Sequence, residues 1–435
     1  MVRIYFLITG ITLCASLLNF FAQAFLAFRF GVGSSADAYA FALSIPMFVS
    51  GLVAAVISYT VVPLIAAECP HPNNQVQLGN AMIRRALIGA ALFSSVGVPA
   101  MWLQPALLQH AGRFSTDQML PTLIMSAWCV AGVQIATAVA VAYLNATSRP
   151  LVAAVVALPT SIGTILALAL IWQQGIASAM LGSLAGAIFA LMVGIYGMGL
   201  KPWQSLETAT MVRPPNANLI SSTWAMLALS CFSSFVVIDA IWAPTLGEGA
   251  LASLGYVQRV VIGVGSLAVV GPSALFVPRF ASLLSSCDLV GFRRTATQGL
   301  GGMAIISIAC ATVMFLFADQ IVTLLFQRGA FDSAASALVS NLLRNMAPGV
   351  AGMLVSVIAM RGLFCFPEAA RGTAFLGLGW TLGYFSLSYL FLGLGVVGIA
   401  RAYSICWIGL SILCTFYVFY LVRLREKATL GLQKW

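Results

Sequence analysis

Two arginines sit where a chain this apolar has little room for charge. Arg259, in GYVQRVVIG, and Arg344, in SNLLRNMAP, each lie about ten residues into an apolar run, roughly 15 Å along a helix rising 1.5 Å per residue. At that depth a charge costs about 2.5–3.5 kcal/mol on insertion scales, so it must face water, a partner or a ligand. A guanidinium fork suits phosphate oxygens, and two such cations lining one cavity can hold a pyrophosphate. Asn341 and Asn345 flank Arg344 in sequence and can orient its head group. The competing reading locks either arginine onto Asp239 or onto backbone carbonyls.

Asp239, in FVVIDAIW, is the only carboxylate well inside an apolar run. It can bind Na⁺ or a proton, with Ser386, Ser388 and Ser404 as neutral oxygens nearby, or it can pair with an arginine. Asp37 stands at the start of the second apolar run, where a carboxylate suits the positive end of its own helix dipole; contact with a substrate is the second possibility. No other chemistry is visible. The nine cysteines are scattered without a CxxC pair, His71 and His110 are too few for a metal site, and no G-x-x-x-x-G-K-[ST] phosphate loop exists. The chain therefore reads as a non-enzyme with no resident metal or organic cofactor, and with Na⁺ or H⁺ as the one candidate ion.

The elements that must position these residues follow from composition. Of 435 residues, 61% are hydrophobic and 7% charged, and mean hydropathy is +1.01, against roughly 25% charged in soluble domains. Apolar runs of about 20 residues recur throughout, each long enough to cross a bilayer as a helix; short alternating segments of a β-barrel are absent. Gly, Pro and charge clusters divide the chain into twelve helices near 4–29, 37–67, 81–109, 119–143, 150–173, 176–200, 217–244, 250–283, 293–317, 334–361, 371–393 and 396–423. The fold class is an all-α polytopic membrane protein.

Basic residues crowd one side of that pattern. Arg3, Arg84, Arg85, Arg149, Lys201, Arg213, Arg279, Arg293, Arg294, Arg361, Arg371 and the C-terminal Arg423, Arg425, Lys427 and Lys434 share a side, with only Arg29, Arg113, Arg328 and Arg401 opposite. The positive-inside rule then places both termini in the cytoplasm. The formal charge of +10 favours anionic lipid headgroups, and nothing suggests nucleic acid.

A polar turn, LLFQRGAFDSAAS at 324–336, has a cousin in AGRFSTDQ at 111–118. Gly112 precedes Phe114 and Pro150 at the same spacing at which Gly329 precedes Phe331 and Pro367. The stretch at 36–66 matches that at 250–281, ending VVPLIA and FVPRFA respectively. Residues 1–200 and 217–425 therefore read as two six-helix halves in parallel orientation, joined by a linker at 201–216 and followed by a tail at 426–435. Such repeats bind substrate at their interface. Locally, Asp332 or Ser333 is placed to cap the following helix.

LLFQRGAF together with GVGSSADAYAFALSIP (31–46) resembles the MurJ/MviN family of lipid II flippases, within the superfamily that also holds the MATE exporters. GYVQRVVIGVGSLAVVGPSALFVPRFA (255–281) looks like that family's eighth helix, with Arg259 at a position often held by arginine. Departures accompany the likeness. Ser16 and Ala22 stand where the family carries first-helix arginines, Ser50 replaces a second-helix arginine, and Ile262 takes the place of an acidic residue. The family commonly has fourteen helices, against twelve here.

The resemblance implies a monomeric secondary transporter in a bacterial inner membrane. It would flip an undecaprenyl-pyrophosphate-linked saccharide, lipid II-like or a polysaccharide repeat unit, by alternating access. Arg259, Arg344, Asn341, Asn345 and Asp37 would line the substrate path, and Asp239 would couple the ion, as some relatives place a sodium ligand in the seventh helix. Rival readings are a drug/cation antiporter of the same superfamily, an intramembrane glycosyltransferase or polymerase, and a non-transporting scaffold of envelope synthesis. The first calls for acidic cavity residues and the second for an acid/base constellation.

Overall fold

A computed structural model describes residues 2–67, 72–107, 119–147, 149–199, 219–286, 288–366 and 368–432. These form α1 (Val2–Phe30), α2 (Ser34–Ala67), α3 (Pro72–Ser95), α4 (Gly97–Leu107), α5 (Leu120–Ala146), α6 (Pro150–Val155), α7 (Leu158–Leu170) and α8 (Ala177–Met198). The second half of the chain adds α9 (Leu219–Ser233), α10 (Phe235–Trp242), α11 (Ala250–Ser285), α12 (Leu289–Leu316), α13 (Ala318–Leu325), α14 (Ser333–Leu363), α15 (Ala369–Leu390) and α16 (Val396–Leu432). No strand occurs among the described residues.

Eleven stretches among them are long and apolar enough to cross a membrane. The twelfth expected helix is α15, whose 22 residues have the length but not the apolarity of the others. Several expected helices are broken. The one predicted over 150–173 divides between Val155 and Leu158, beside Pro159, which lacks an N–H for the preceding turn. The one predicted over 81–109 starts at Pro72 and divides before Gly97, whose missing side chain lets Trp128 Cβ approach. The predicted tail is largely helical, since α16 runs on to Leu432; the predicted linker lies outside the described residues.

The chain forms two compact units. The first comprises Met1–Ala217 with two short pieces from later in the chain, Gly247–Ala252 and Arg328–Phe331. Here α5 is central, packing on α2, α3 and α8, with Ala136, Ala140, Tyr143 and Leu144 buried against Ile83 and Ala190. Helices in lipid gain little from apolarity and associate through close contact of small residues. At the α7–α8 seam a Cβ on Gly186 would come 2.5 Å from Pro159 O and 2.7 Å from Thr160 Cα, and the Thr164 and Ser183 hydroxyls share a hydrogen bond of 3.0 Å.

The second unit comprises Asn218–Leu246, Ser253–Gln327 and Asp332–Trp435. Its centre is α14, flanked by α16 and α12. A Cβ on Gly352 would come 2.6 Å from the Trp407 backbone, and one on Gly349 equally close to Ser404 Cα. Next to Pro348, Ser404 Oγ donates to Asn345 O at 2.6 Å and accepts from Gly349 N at 3.0 Å. The hydroxyl thus bridges two backbone groups one helical turn apart, a recognised way of bending a helix.

The polar turn before α14 has a local explanation. Asp332 accepts from Ala335 N at 2.7 Å and caps α14, as its sequence predicts. Gly329 has φ +62°, and a Cβ there would run into the Phe28 carbonyl and ring. Next to it, Ala330 N donates to Phe28 O at 2.8 Å, while the Phe331 ring is buried. The earlier turn, 111–118, lies outside the described residues. Gly329→Ala combines a disfavoured backbone angle with that collision and should cost about 1–3 kcal/mol. Asp332→Ala should cost about 1 kcal/mol, as a lost cap. Thermal unfolding in detergent should rank Gly329→Ala below Asp332→Ala and both below the parent; a parent-like Gly329→Ala protein would contradict the packing described.

Candidate functional site

The helix expected over 217–244 breaks at Ser234, between α9 and α10. Around the break, Cys231 O accepts from Ser234 Oγ at 2.7 Å and from Thr381 Oγ1 at 3.1 Å, so hydroxyls on either helix satisfy a carbonyl that the break would otherwise strand. Gly377 allows α15 to lie close, a Cβ there reaching 3.2 Å from Ala228 O.

Asp239 follows the break on α10 and is 1% exposed. Tyr384 Oη donates to its Oδ1 at 2.5 Å, and Gln258 Nε2 of α11 donates to its Oδ2. Tyr384 is fully buried, stacked on Trp380 with ring centroids 5.5 Å apart and edge-on to Tyr403 at 6.2 Å. The expected alternative of an arginine partner is therefore corrected: both hydrogen bonds come from neutral side chains. An ionised carboxylate out of water needs fuller compensation than two neutral donors provide. One spare oxygen stands on the Tyr384 face of α15: Ser388 Oγ, fully buried and without a hydrogen-bond partner. Of the other expected oxygens, Ser386 is exposed and Ser404 is engaged in α14. No group of three His, Cys, Asp or Glu side chains suited to a metal occurs among the described residues.

A second polar cluster joins α13, α14 and α16. Arg344 pairs with Asp319 at the start of α13, at side-chain exposures of 37% and 58%; it does not meet Asp239. Asn345 Nδ2 donates to Asn341 Oδ1 at 3.0 Å, and its Oδ1 accepts from Arg401 Nε at 3.1 Å. The asparagines thus orient Arg401, not Arg344 as their flanking positions suggested, because α16 brings Arg401 onto the Asn345 face while Arg344 turns towards α13. Arg259 is exposed on α11 and engaged by neighbours.

Asp37 belongs to the first unit and is 1% exposed. Its Oδ2 accepts from Gly249 N and its Oδ1 from Ala252 N, both at 2.6 Å. The carboxylate therefore caps the start of α11, where the sequence had suggested the dipole of its own helix. Glu248 Oε1 returns the arrangement, accepting from Ser34 N at the start of α2 at 2.9 Å. Each helix start is thus satisfied by an acid from the other segment, a use of N-terminal N–H groups that no spacing within one helix could reveal.

With this geometry in hand, comparison with known proteins is decisive. The family model for the lipid II flippase MurJ matches residues 26–435. The chain belongs to the MurJ family. Among curated MurJ proteins, a probable lipid II flippase of Rhizobium meliloti is 22% identical over 426 residues, covering 92% of this chain and 77% of its own length. The lipid II flippase MurJ of Burkholderia cenocepacia is 22% identical over 373 residues, covering 82% and 72%. A solved MurJ in an inward closed conformation superposes with a TM-score of 0.73 at 19% identity over 96% of this chain and 87% of that one. An inward-facing MATE-family multidrug resistance transporter gives 0.75 at 14% identity, covering 96% and 98%. The fold is that of MurJ and MATE transporters, a multi-pass helical membrane protein.

Within this MurJ-family chain the residues missed from sequence are Tyr384, Gln258, Asp319 and Arg401. Gln258 carried a signal, a polar residue beside Arg259 in an apolar run; Tyr384 carried none, since a tyrosine is ordinary in such a helix. Tyr384→Phe should destabilise the protein by roughly 1.5–3 kcal/mol, the usual worth of a hydrogen bond to a charged group. In Asp239→Asn the same change should cost much less. Unfolding midpoints of the four proteins measure this coupling, and additive effects would contradict a Tyr384–Asp239 bond.

Proposed function

We propose that this protein flips an undecaprenyl-pyrophosphate-linked saccharide, lipid II-like or a polysaccharide repeat unit, from the cytoplasmic to the periplasmic leaflet of a bacterial inner membrane. Both termini lie in the cytoplasm, transport proceeds by alternating access, and the protein acts as a monomer without catalysing bond cleavage. The reading is supported by membership of the MurJ family and by the names of its curated relatives. The observation that carries it into this chain is the excess of positive charge on α14 and α16. There Arg344 has one carboxylate partner, and Arg401 is held by an amide with no carboxylate among the described residues.

Under this reading Arg259 and Arg344 meet the pyrophosphate, assisted by Asn341 and Asn345, while Arg401 adds charge beside them. Guanidinium groups half out of the protein interior retain donors for an anion, whereas an acidic drug-export cavity would repel one. Asp239 couples Na⁺ or H⁺ to the cycle, the neutral partners of its carboxylate leaving a place for the cation's charge. Asp37 holds the start of α11 instead of touching substrate.

Flipping of a fluorescent polyprenyl-pyrophosphate disaccharide in proteoliposomes tests the proposal. Wild type should move it well above empty vesicles, and Arg259→Ala and Arg344→Ala should each slow it by about ten-fold or more, as for loss of a charge-assisted contact. Transport of organic cations without flipping would favour the drug/cation antiporter; neither activity, from folded protein, would favour the scaffold.

A further inference from the structure

A cavity of about 810 Å³ opens in the second unit where α12, α15 and α16 meet, lined by neither Asp239, Arg259 nor Arg344. Its walls are apolar and aromatic, with Leu376, Leu413, Phe416 and Tyr420 among the lining residues, and two arginines, Arg293 and Arg423, complete it. Leu413, Phe416 and Tyr420 are 54%, 71% and 57% exposed. All three belong to Val396–Lys427, a stretch long and apolar enough to cross a membrane, where exposed apolar side chains suit lipid. Gly372 shapes the floor: any Cβ there would strike the Tyr417 hydroxyl, so its absence lets the phenol ring close against α15.

The two arginines are what make this more than a greasy groove. The Arg293 carbonyl accepts from Thr297 Oγ1 at 2.9 Å, but among the described residues neither the Arg293 nor the Arg423 guanidinium makes an ion pair or hydrogen bond. Their neighbour Arg425 shows the contrast. It binds both oxygens of Glu368, at 2.7 and 3.0 Å, and lies 5.0 Å from the Phe366 ring centre. That contact holds the Glu368 carboxyl below its ordinary range. Arg293 lies one turn into α12 and Arg423 nine residues before the end of α16, so both stand at one end of the groove with the apolar wall running from them along the helices. Two cations at the end of a lipid-facing apolar slot match a phosphate on top of an acyl chain.

We infer that this groove holds an anionic glycerophospholipid of the surrounding bilayer. The headgroup phosphate lies between Arg293 and Arg423, and an acyl chain lies along Leu376, Leu413 and Phe416. The polar lining is too sparse for a saccharide headgroup, which favours a bilayer phospholipid over a lipid-linked sugar. This lipid site stands or falls independently of the flipping reading, because none of its residues belongs to the proposed substrate path.

Native mass spectrometry of the full-length protein in detergent tests it, with phosphatidylglycerol, phosphatidylethanolamine and undecaprenyl phosphate as probes. Wild type should retain one phosphatidylglycerol in preference to phosphatidylethanolamine. Arg293→Gln/Arg423→Gln should reduce that occupancy about ten-fold or more. Leu376→Trp, which fills the slot and keeps both arginines, should reduce it as well, and phosphatidylglycerol should raise the melting temperature of wild type but not of the folded double variant. Equal retention of the two phospholipids, or unchanged phosphatidylglycerol binding in the double variant, would overturn the inference. So would tighter retention of undecaprenyl phosphate than of phosphatidylglycerol.

Discussion

A carboxylate removed from water inside an apolar helix assembly must be answered by donors or by a cation, and this constraint organises the polar architecture of the protein. Asp37 is answered by two backbone N–H groups at the start of α11, partial positive charges that a helix start supplies without further desolvation. Among the described residues, Asp239 is answered only by a phenol and an amide. The two acids are equally buried, yet they serve different ends. The first is a structural cap. The second is held by neutral side chains, and the buried, unpartnered hydroxyl of Ser388 lies one turn beyond Tyr384 on α15.

The same constraint applied to cations gives the opposite picture. Arg344 and Arg401 keep their head groups partly out of the interior and take modest partners, an exposed aspartate and an amide. Exposed pairs of that kind contribute little to stability, so the two arginines are poorly explained as structural fasteners. Under the proposed function, these arginines are free to exchange such partners for the anionic headgroup of a lipid carrier. Arg425, doubly bonded to Glu368 and lying over an aromatic ring, shows what a structural arginine looks like in the same chain.

Much of the fold was legible in the sequence because bilayer thickness fixes helix length and composition marks helix ends. Breaks inside helices were less legible: Pro159 announces one, but the interruption at Ser234 depends on Thr381 from a helix far along the chain. The site was legible as a set of residue types rather than as contacts. Charge in an apolar run picked out Asp239, Arg259 and Arg344 on energetic grounds alone. Their partners came from elsewhere because side-chain direction, not sequence proximity, chooses a partner: Asn345 follows Arg344 directly, yet the two point along different faces of α14. The Asp37 cap on α11 joins residues more than two hundred positions apart and leaves no periodic trace.

The central claim is that Asp239, held by neutral donors, is the group that takes up the driving cation. Infrared difference spectroscopy of the reconstituted protein, on switching Na⁺ or pH, reads this directly when wild type is compared with Asp239→Asn. The account predicts a carboxyl band that changes with one of the two ions in wild type and is missing from the variant. Identical difference spectra from both proteins would contradict it.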